Sequence, residues 1–532
     1  MREPESIYKA LRSRTTLDGL TDEQGLEHIG SLTDLSLDLQ EKEGLDHAVR
    51  LSSELQQRNL SPEHIALSHY FLGNAWSNLR RLADRDVWDW EQPELAHETF
   101  HFRMALRKGS GSRLPDQRVC QILTNLGHAM SQVGRPVEAI EYWDRALGLM
   151  PLFSMARGSR GHGLSYYATS VYDEGHKHLI LKSAHADLQK ALSPEMRRYI
   201  EGNAHEAFEK VKTDIEEYLA PCCLGEDSDL HDFSLGDSDE EVAYRRWCLD
   251  NRLFLNPLND LGSCPIAAAD VLTLPTLVTD HRKGPSGPSI LGMYNQLKQE
   301  FISARYLYYE GTRPQYAHFS DKDVCLYDTL DYPSYSLAVE KTKAAYRMAY
   351  SVLDKAAFFL NHYLGLGVPD HKVTFRTVWY EDQSKKKGLV PALREMRNWP
   401  LRGLFWVSKD LSEDAPDFQN ALEPDAREWR NIRNGLEHRY LKLHEVFWPG
   451  PDDDYGGVSA EAAASLKDGL ALSRYRSDFE AKAIRLLKTV RAALIYLCLA
   501  VQWEETHRSE EKREDQETSK IGPFILEDDL KI

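Results

Sequence analysis

Basic charge is what this chain is short of. Its 532 residues carry 65 Lys and Arg against 83 Asp and Glu, a formal net charge of -18. That balance excludes a general coat for nucleic acid, whose binding is led by phosphate neutralisation with Lys and Arg, so any RNA contact must be local. Cysteine is sparse too: there are seven, scattered apart from the neighbours Cys222 and Cys223, and no CxxC pair occurs. Neither a disulfide framework nor a zinc knuckle is expected, and no metal or cofactor is called for. No run of eighteen apolar residues is present, and the N-terminus MREPESIYKALRSR lacks an apolar signal stretch. The chain therefore reads as a soluble cytoplasmic protein with no membrane partner. What it does have is a 42% hydrophobic share, enough at this length to bury the cores of roughly two or three domains.

The N-terminal part is helical. Two amphipathic segments, around Leu26 to Leu39 and Leu45 to Leu55, are separated by Glu41 to Gly44 and predict a helical hairpin. From Cys120 to Pro151, the positions Leu126, Gly127, Gly134, Ala139, Trp143, Ala146 and Pro151 resemble the small-and-large pattern of a tetratricopeptide repeat. The pattern has a steric cause. Gly127 and Ala139 let two antiparallel helices approach, Trp143 fills the space between them, and Pro151 ends the second. A degenerate partner runs from Ser61 with Leu72, Gly73 and Trp76, then Phe102, Ala105 and Leu106; Gly161 falls one period after Gly127. Residues 1–220 are thus expected to form a short helical solenoid, a scaffold whose concave face suits a protein or peptide regulator.

One competing motif lies inside it. His97, Glu98 and His101 spell HETFH, the HExxH spacing that puts two zinc-binding histidines on one helical face with a glutamate as general base. A zinc-dependent hydrolase is the reading it would support. The same stretch already has a repeat role through Phe102 and Ala105, and no third ligand stands out.

Residues 221–290 read as an acidic linker, CLGEDSDLHDFSLGDSDEE, followed by a packed connector, YRRWCLDNRLFLNPLNDLG, and the breaker HRKGPSGPS. A second helical domain is expected over 291–505, with helices at Leu291 to Tyr309, Tyr335 to Leu364, Pro424 to Glu445 and Tyr475 to Trp503. Four helices make a bundle. Between its second and third helices stand Lys385, Lys386, Lys387, Arg394, Arg397 and Arg402, interleaved with Trp399 and Trp406. This basic and aromatic run suits phosphate contact with base stacking, or equally a solvated loop over a Trp-rich core. Residues 506–532 are a charged tail.

The third bundle helix concentrates the chemistry. Ala426, Trp429, Ile432, Leu436, Tyr440 and Leu443 mark one apolar face, and Pro424 and Asp425 are start signals. The other side carries Arg430, Arg433, Asn434, Glu437 and His438. An imidazole accepts a proton near neutrality, and a guanidinium can hold two phosphate oxygens, the two needs of attack by an RNA 2'-hydroxyl on its adjacent phosphate. Asn434 could orient the ring or bind phosphate, Glu437 could fix Arg433, and Gly435 could ease the bend that brings Arg433 and His438 together. Arg430 reads as a phosphate contact. Arg439 and His444 repeat the Arg-to-His interval, with a Tyr in the place of the polar residue.

An Arg followed by a polar residue, three more residues and a His, on the third helix of a bundle, resembles the signature of the HEPN superfamily (higher eukaryotes and prokaryotes nucleotide-binding). Arg433, Asn434 and His438 match it. The segments YRRWCLDNRLFLNPLNDL, QLKQEFISARYLYYEG and YSVLDKAAFFLNHYLGL are similar to a HEPN branch with tetratricopeptide-like repeats in front, and the resemblance covers about 240 to 505. It implies an all-α chain, a tetratricopeptide-like helical solenoid followed by a HEPN-type bundle. It also implies a metal-independent endoribonuclease that works as a homodimer on an RNA substrate, as a toxin or defence effector. Some HEPN domains are instead inactive scaffolds or nucleotide binders, which leaves a non-catalytic interaction protein as the alternative.

Overall fold

A computed structural model of the chain describes residues 3–109, 114–196, 199–200, 202–220, 233–280, 287–314, 316–329, 331–382, 384–412, 426–445, 468–510, 518–521 and 526–531. In chain order the first helices are α1 (Glu3–Ser13), α2 (Asp22–Asp38), α3 (Lys42–Leu55), α4 (Pro62–Arg81), α5 (Pro93–Gly109), α6 (Asp116–Gln132) and α7 (Pro136–Leu149). Then come α8 (Ser154–Ser170), α9 (Glu174–Ala191), α10 (Ala204–Leu219), α11 (Asp239–Asp250), α12 (Gly287–Gly311) and α13 (Leu337–Tyr363). The last are α14 (Pro391–Glu395), α15 (Trp399–Ser412), α16 (Ala426–His438) and α17 (Arg476–Glu510). Four short strands, β1 (Leu277–Asp280), β2 (Leu441–His444), β3 (Leu472–Tyr475) and β4 (Thr518–Ile521), pair β1 with β4 antiparallel and β2 with β3 in parallel. The class is all-α, a helical solenoid followed by a helical bundle. No helix among the described residues is long and apolar enough to cross a membrane. Cys222 and Cys223, the start signals Pro424 and Asp425, most of the acidic linker and the start of the breaker HRKGPSGPS lie outside the described residues.

The chain divides into two units, Met1–Glu226 with Arg394–Pro424, and Asp227–Leu393 with Asp425–Ile532. In the first, consecutive helices pack as hairpins, α2 on α3, α4 on α5, α6 on α7 and α8 on α9. Local sequence sets their starts. Thr21 accepts the Gln24 N–H at 3.2 Å while the Gln24 side chain accepts the Thr21 N–H at 3.0 Å, satisfying two first-turn amides. Small and large residues set their spacing. A Cβ at Gly127 would collide with the buried Trp143 indole, and one at Gly73 with the buried Phe102 ring, so each glycine is the place where two helices close on one aromatic side chain.

The stretch Arg394–Pro424, expected inside the bundle, groups with this first unit. Helix α15 enters it through Trp399 and Trp406, both buried, whose indole N–H groups donate to the carbonyls of Ser131 at 2.9 Å and Trp90 at 3.1 Å. Gly134 and Gly403 meet backbone to backbone, with no room for a Cβ on either. Asp410 closes the contact. It accepts from Arg103 at 2.7 and 2.9 Å and from Arg135 at 2.5 Å, all three side chains being buried. Burial would raise the Asp410 carboxyl, and the two guanidinium groups overcome it, holding the carboxyl at about 2.

In the second unit, α12, α13 and α17 pack against one another and α16 packs on α13. Two buried arginines clip the connector to them. Arg305 on α12 grips Asp270 at 2.9 and 2.8 Å and the Leu253 carbonyl at 2.8 Å. Arg491 on α17 reaches Asp260 at 2.6 Å and the Asn256 carbonyl at 2.9 Å. The expected charged tail contributes structure: α17 runs on to Glu510, and Thr518–Ile521 pairs with Leu277–Asp280.

Candidate functional site

Helix α16 is held from three sides within its unit. Trp429 and Ile432 are buried, and the Tyr346 hydroxyl of α13 donates to the Trp429 carbonyl at 3.0 Å. The Arg485 guanidinium of α17 lies over the Trp429 ring, 5.6 Å from its centre. Glu428 pairs with Arg474 on β3 at 2.9 Å and with Lys482 on α17 at 3.3 Å. These anchors fix which flank faces outward.

On that flank Arg430, Arg433 and Asn434 are half-buried, while Glu437 and His438 are exposed. Arg433 Nη1 donates to Asn434 Oδ1 at 3.2 Å, not to Glu437, and its guanidinium carbon stands 5.8 Å from the centre of the Tyr350 ring on α13. Asn434 therefore steadies Arg433, the part expected of Glu437. Five residues of helix turn His438 about 140° from Arg433. Arg433 faces Tyr350, and His438 closes the helix at its exposed end.

The helix is shorter than expected. Tyr440 and Leu443 do not extend its apolar face, because Leu441–His444 leaves the helix and pairs with Leu472–Tyr475 thirty-one residues on. The signal was present as strict alternation, Leu441, Lys442, Leu443, His444, the period of a strand. Lys442 is buried between Asp331 at 2.7 Å and Asp468 at 3.0 Å, and His444 Nδ1 donates to the Asp331 carbonyl at 2.9 Å. Burial lowers the His444 pKa. The second Arg-to-His interval, Arg439 to His444, is thus an artefact of spacing, since its histidine is buried in β2. Gly435 also has a different reason from bending: a Cβ there would lie 2.9 Å from Leu472 Cδ2, so the glycine admits β3.

The basic run expected to bind RNA is split between the units. Lys385, half-buried with its ammonium 4.9 Å from the Tyr380 ring centre, and the exposed Lys386 and Lys387 belong to the unit of α16. Arg394, Arg397 and Arg402 belong to the other. Arg394 and Arg397 are exposed, and Arg397 faces Asp86 at 3.5 Å. Arg402 is buried and donates to the carbonyls of Val87 and Gln132, so it cannot meet RNA and serves to seat α15. Trp399 and Trp406 are likewise core, not stacking platforms.

The HETFH residues also find structural partners. Glu98 is buried and ion-paired with Arg80 at 2.9 Å, which removes it as a general base. His97 stacks on Trp76 with ring centres 4.1 Å apart, and the ring nitrogens of His101 and His69 are 2.9 Å apart. Burial lowers both of the latter imidazoles, His69 to about 4. No group of three or more His, Cys, Asp or Glu among the described residues could hold a metal ion.

A helical bundle in which one helix presents an arginine, a neighbouring amide and an exposed histidine defines the class of site. Residues 281–504 match the family model described as LA2681-like HEPN. The match supports the HEPN superfamily for this segment and spans α16 with all of its polar residues. No curated protein matches the chain.

Proposed function

We propose that the chain is a metal-independent endoribonuclease with its active site on α16. The observation that carries this reading is the setting of His438: it is exposed at the end of the helix that also holds Arg433, inside the HEPN-matched segment. His438 takes the proton of an RNA 2'-hydroxyl as that oxygen attacks the adjacent phosphorus; the bond to the 5'-oxygen breaks, and that oxygen takes up a proton. Arg433, steadied by Asn434, binds the phosphate oxygens on which charge develops. Arg430 adds positive charge beside it. The products carry a 2',3'-cyclic phosphate and a 5'-hydroxyl. Two copies pairing through this domain bring two α16 helices to one RNA strand, which removes the need for Arg433 and His438 of one helix to converge. Cleavage of this kind suits a toxin-like or antiviral defence effector in the cytoplasm, restrained by a protein or peptide regulator on the tetratricopeptide-like repeats.

The test is incubation of total RNA in EDTA with the full chain, Arg433→Ala and His438→Ala, followed by mapping of RNA ends. New 5'-hydroxyl and cyclic-phosphate termini with the unaltered chain alone are expected. RNA left intact under every triggering condition tried would favour the non-catalytic scaffold or nucleotide-binding reading instead.

A further inference from the structure

The contact between α13 and α16 runs in register. Tyr346 meets Trp429, and four residues further along both helices Tyr350 meets Arg433. Contacts that advance together mean that the two helices run in the same direction. One turn beyond Tyr350 on α13 stands Asp354.

Asp354 fixes something at that level. Its Oδ1 accepts the Phe375 N–H at 3.0 Å. The turn that carries Phe375 is rigid: the N–H groups of Thr377 and Val378 both donate to the Thr374 carbonyl at 3.1 Å, and the Trp379 indole donates to the Phe375 carbonyl at 2.8 Å. Phe375 and Trp379 are buried. Arg376, between them, is exposed, and among the described residues no carboxylate lies within ion-pair distance of it. Tyr350 feels this arrangement. Burial pushes its phenol above the ordinary value and Asp354 adds to that, while Arg433, Arg430 and Arg376 draw it back. Arg433 lies against this ring, and one turn along α13 Asp354 holds the residue that Arg376 follows.

We propose that Arg376 is a phosphate-binding residue of the α16 site, holding one phosphate of an RNA strand while Arg433 holds its neighbour. The identity of the ligand rests on the ribonuclease reading above; the place of Arg376 beside Asp354, one turn from the Tyr350–Arg433 contact, does not. A doubly hydrogen-bonded turn anchored by the buried Phe375 and Val378 gives the guanidinium a fixed origin, and its planar fork suits two oxygens of one phosphate.

The experiment measures binding of a labelled single-stranded RNA to the full chain carrying His438→Ala, with and without Arg376→Ala, across a potassium chloride series. Removing one phosphate contact is expected to weaken binding about tenfold and to lower the slope of log affinity against log salt by about 0.7. Arg376→Lys should restore most of the slope. In the cleaving background, Arg376→Ala should raise KM more than it lowers kcat. Unchanged affinity and slope overturn the proposal, and Arg376→Gln provides the same comparison should the alanine variant melt at a lower temperature. Cleavage by the unaltered chain with no Arg376 dependence sinks this proposal alone. Arg376-dependent binding without any cleavage sinks the ribonuclease reading alone, and no RNA binding by the parent sinks both.

Discussion

Two successive long helices, α15 and α16, carry comparable charge to opposite ends. On α15, Arg402 and Asp410 are buried, and their partners are carbonyls and guanidinium groups of the protein itself. On α16, Glu437 and His438 face outward and Arg433 leans on a tyrosine ring and an amide. A buried charge must be matched in full, since several kcal/mol of desolvation stand against it, and a matched charge has nothing left for a ligand. An exposed one costs little to keep and remains available. The contrast sorts the charged residues of this chain better than their spacing does.

The sharpest way to break the comparison is to remove one charge from each helix. His438→Ala should lower RNA cleavage roughly 10²- to 10⁴-fold while moving the free energy of unfolding by no more than about 0.5 kcal/mol; a chain that loses both together would make the histidine structural. Asp410→Ala should do the reverse, costing about 3–5 kcal/mol in urea unfolding because Arg103 and Arg135 are left buried without a counter-charge. Its pH dependence has a definite sign. The carboxyl is held at about 2 in the fold against an unfolded value of about 3.9. Its contribution is therefore present above about pH 4 and lost as pH falls through about 2. Unfolding midpoints of the unaltered chain and Asp410→Asn should differ at neutral pH and draw together in acid.

Smaller effects sharpen the same contrast between packed and open positions. Gly127→Ala forces a methyl group into the Trp143 indole and should cost about 1–3 kcal/mol. Gly435→Ala meets only the tip of Leu472, and with alanine's better helix propensity the net change should stay within about 1 kcal/mol. Calorimetric melting of the two variants side by side separates these outcomes. The smallest change expected is from Glu437→Gln, which should alter stability by less than about 0.5 kcal/mol and leave cleavage nearly intact, because Asn434 and not Glu437 holds Arg433. A large loss of cleavage would return Glu437 to the reacting groups.

The hairpins were legible because the residues that decide them are close in sequence. Gly127 and Trp143 lie within one hairpin, so spacing alone reveals them. The polar flank of α16 was legible for the same reason. Its C-terminal end was not, because Leu436, Tyr440 and Leu443 fit a helical face as well as Leu441 and Leu443 fit a strand. What chose between them is β3, with Leu472 N–H on the Tyr440 carbonyl at 3.0 Å. The role of Arg402 was equally hidden, since its acceptors Val87 and Gln132 stand 315 and 270 residues away.

The sequence by itself determined the helical class, the small-and-large pairing in the hairpins and which residues could do acid–base and phosphate chemistry, all of which follow from side-chain type and short-range spacing. Only the tertiary structure decided which of those charges are buried. Arg402 and the two tryptophans became core, and Asn434 took the place of Glu437 beside Arg433. Burial and partner are set by segments that meet from far along the chain, and no local pattern encodes them.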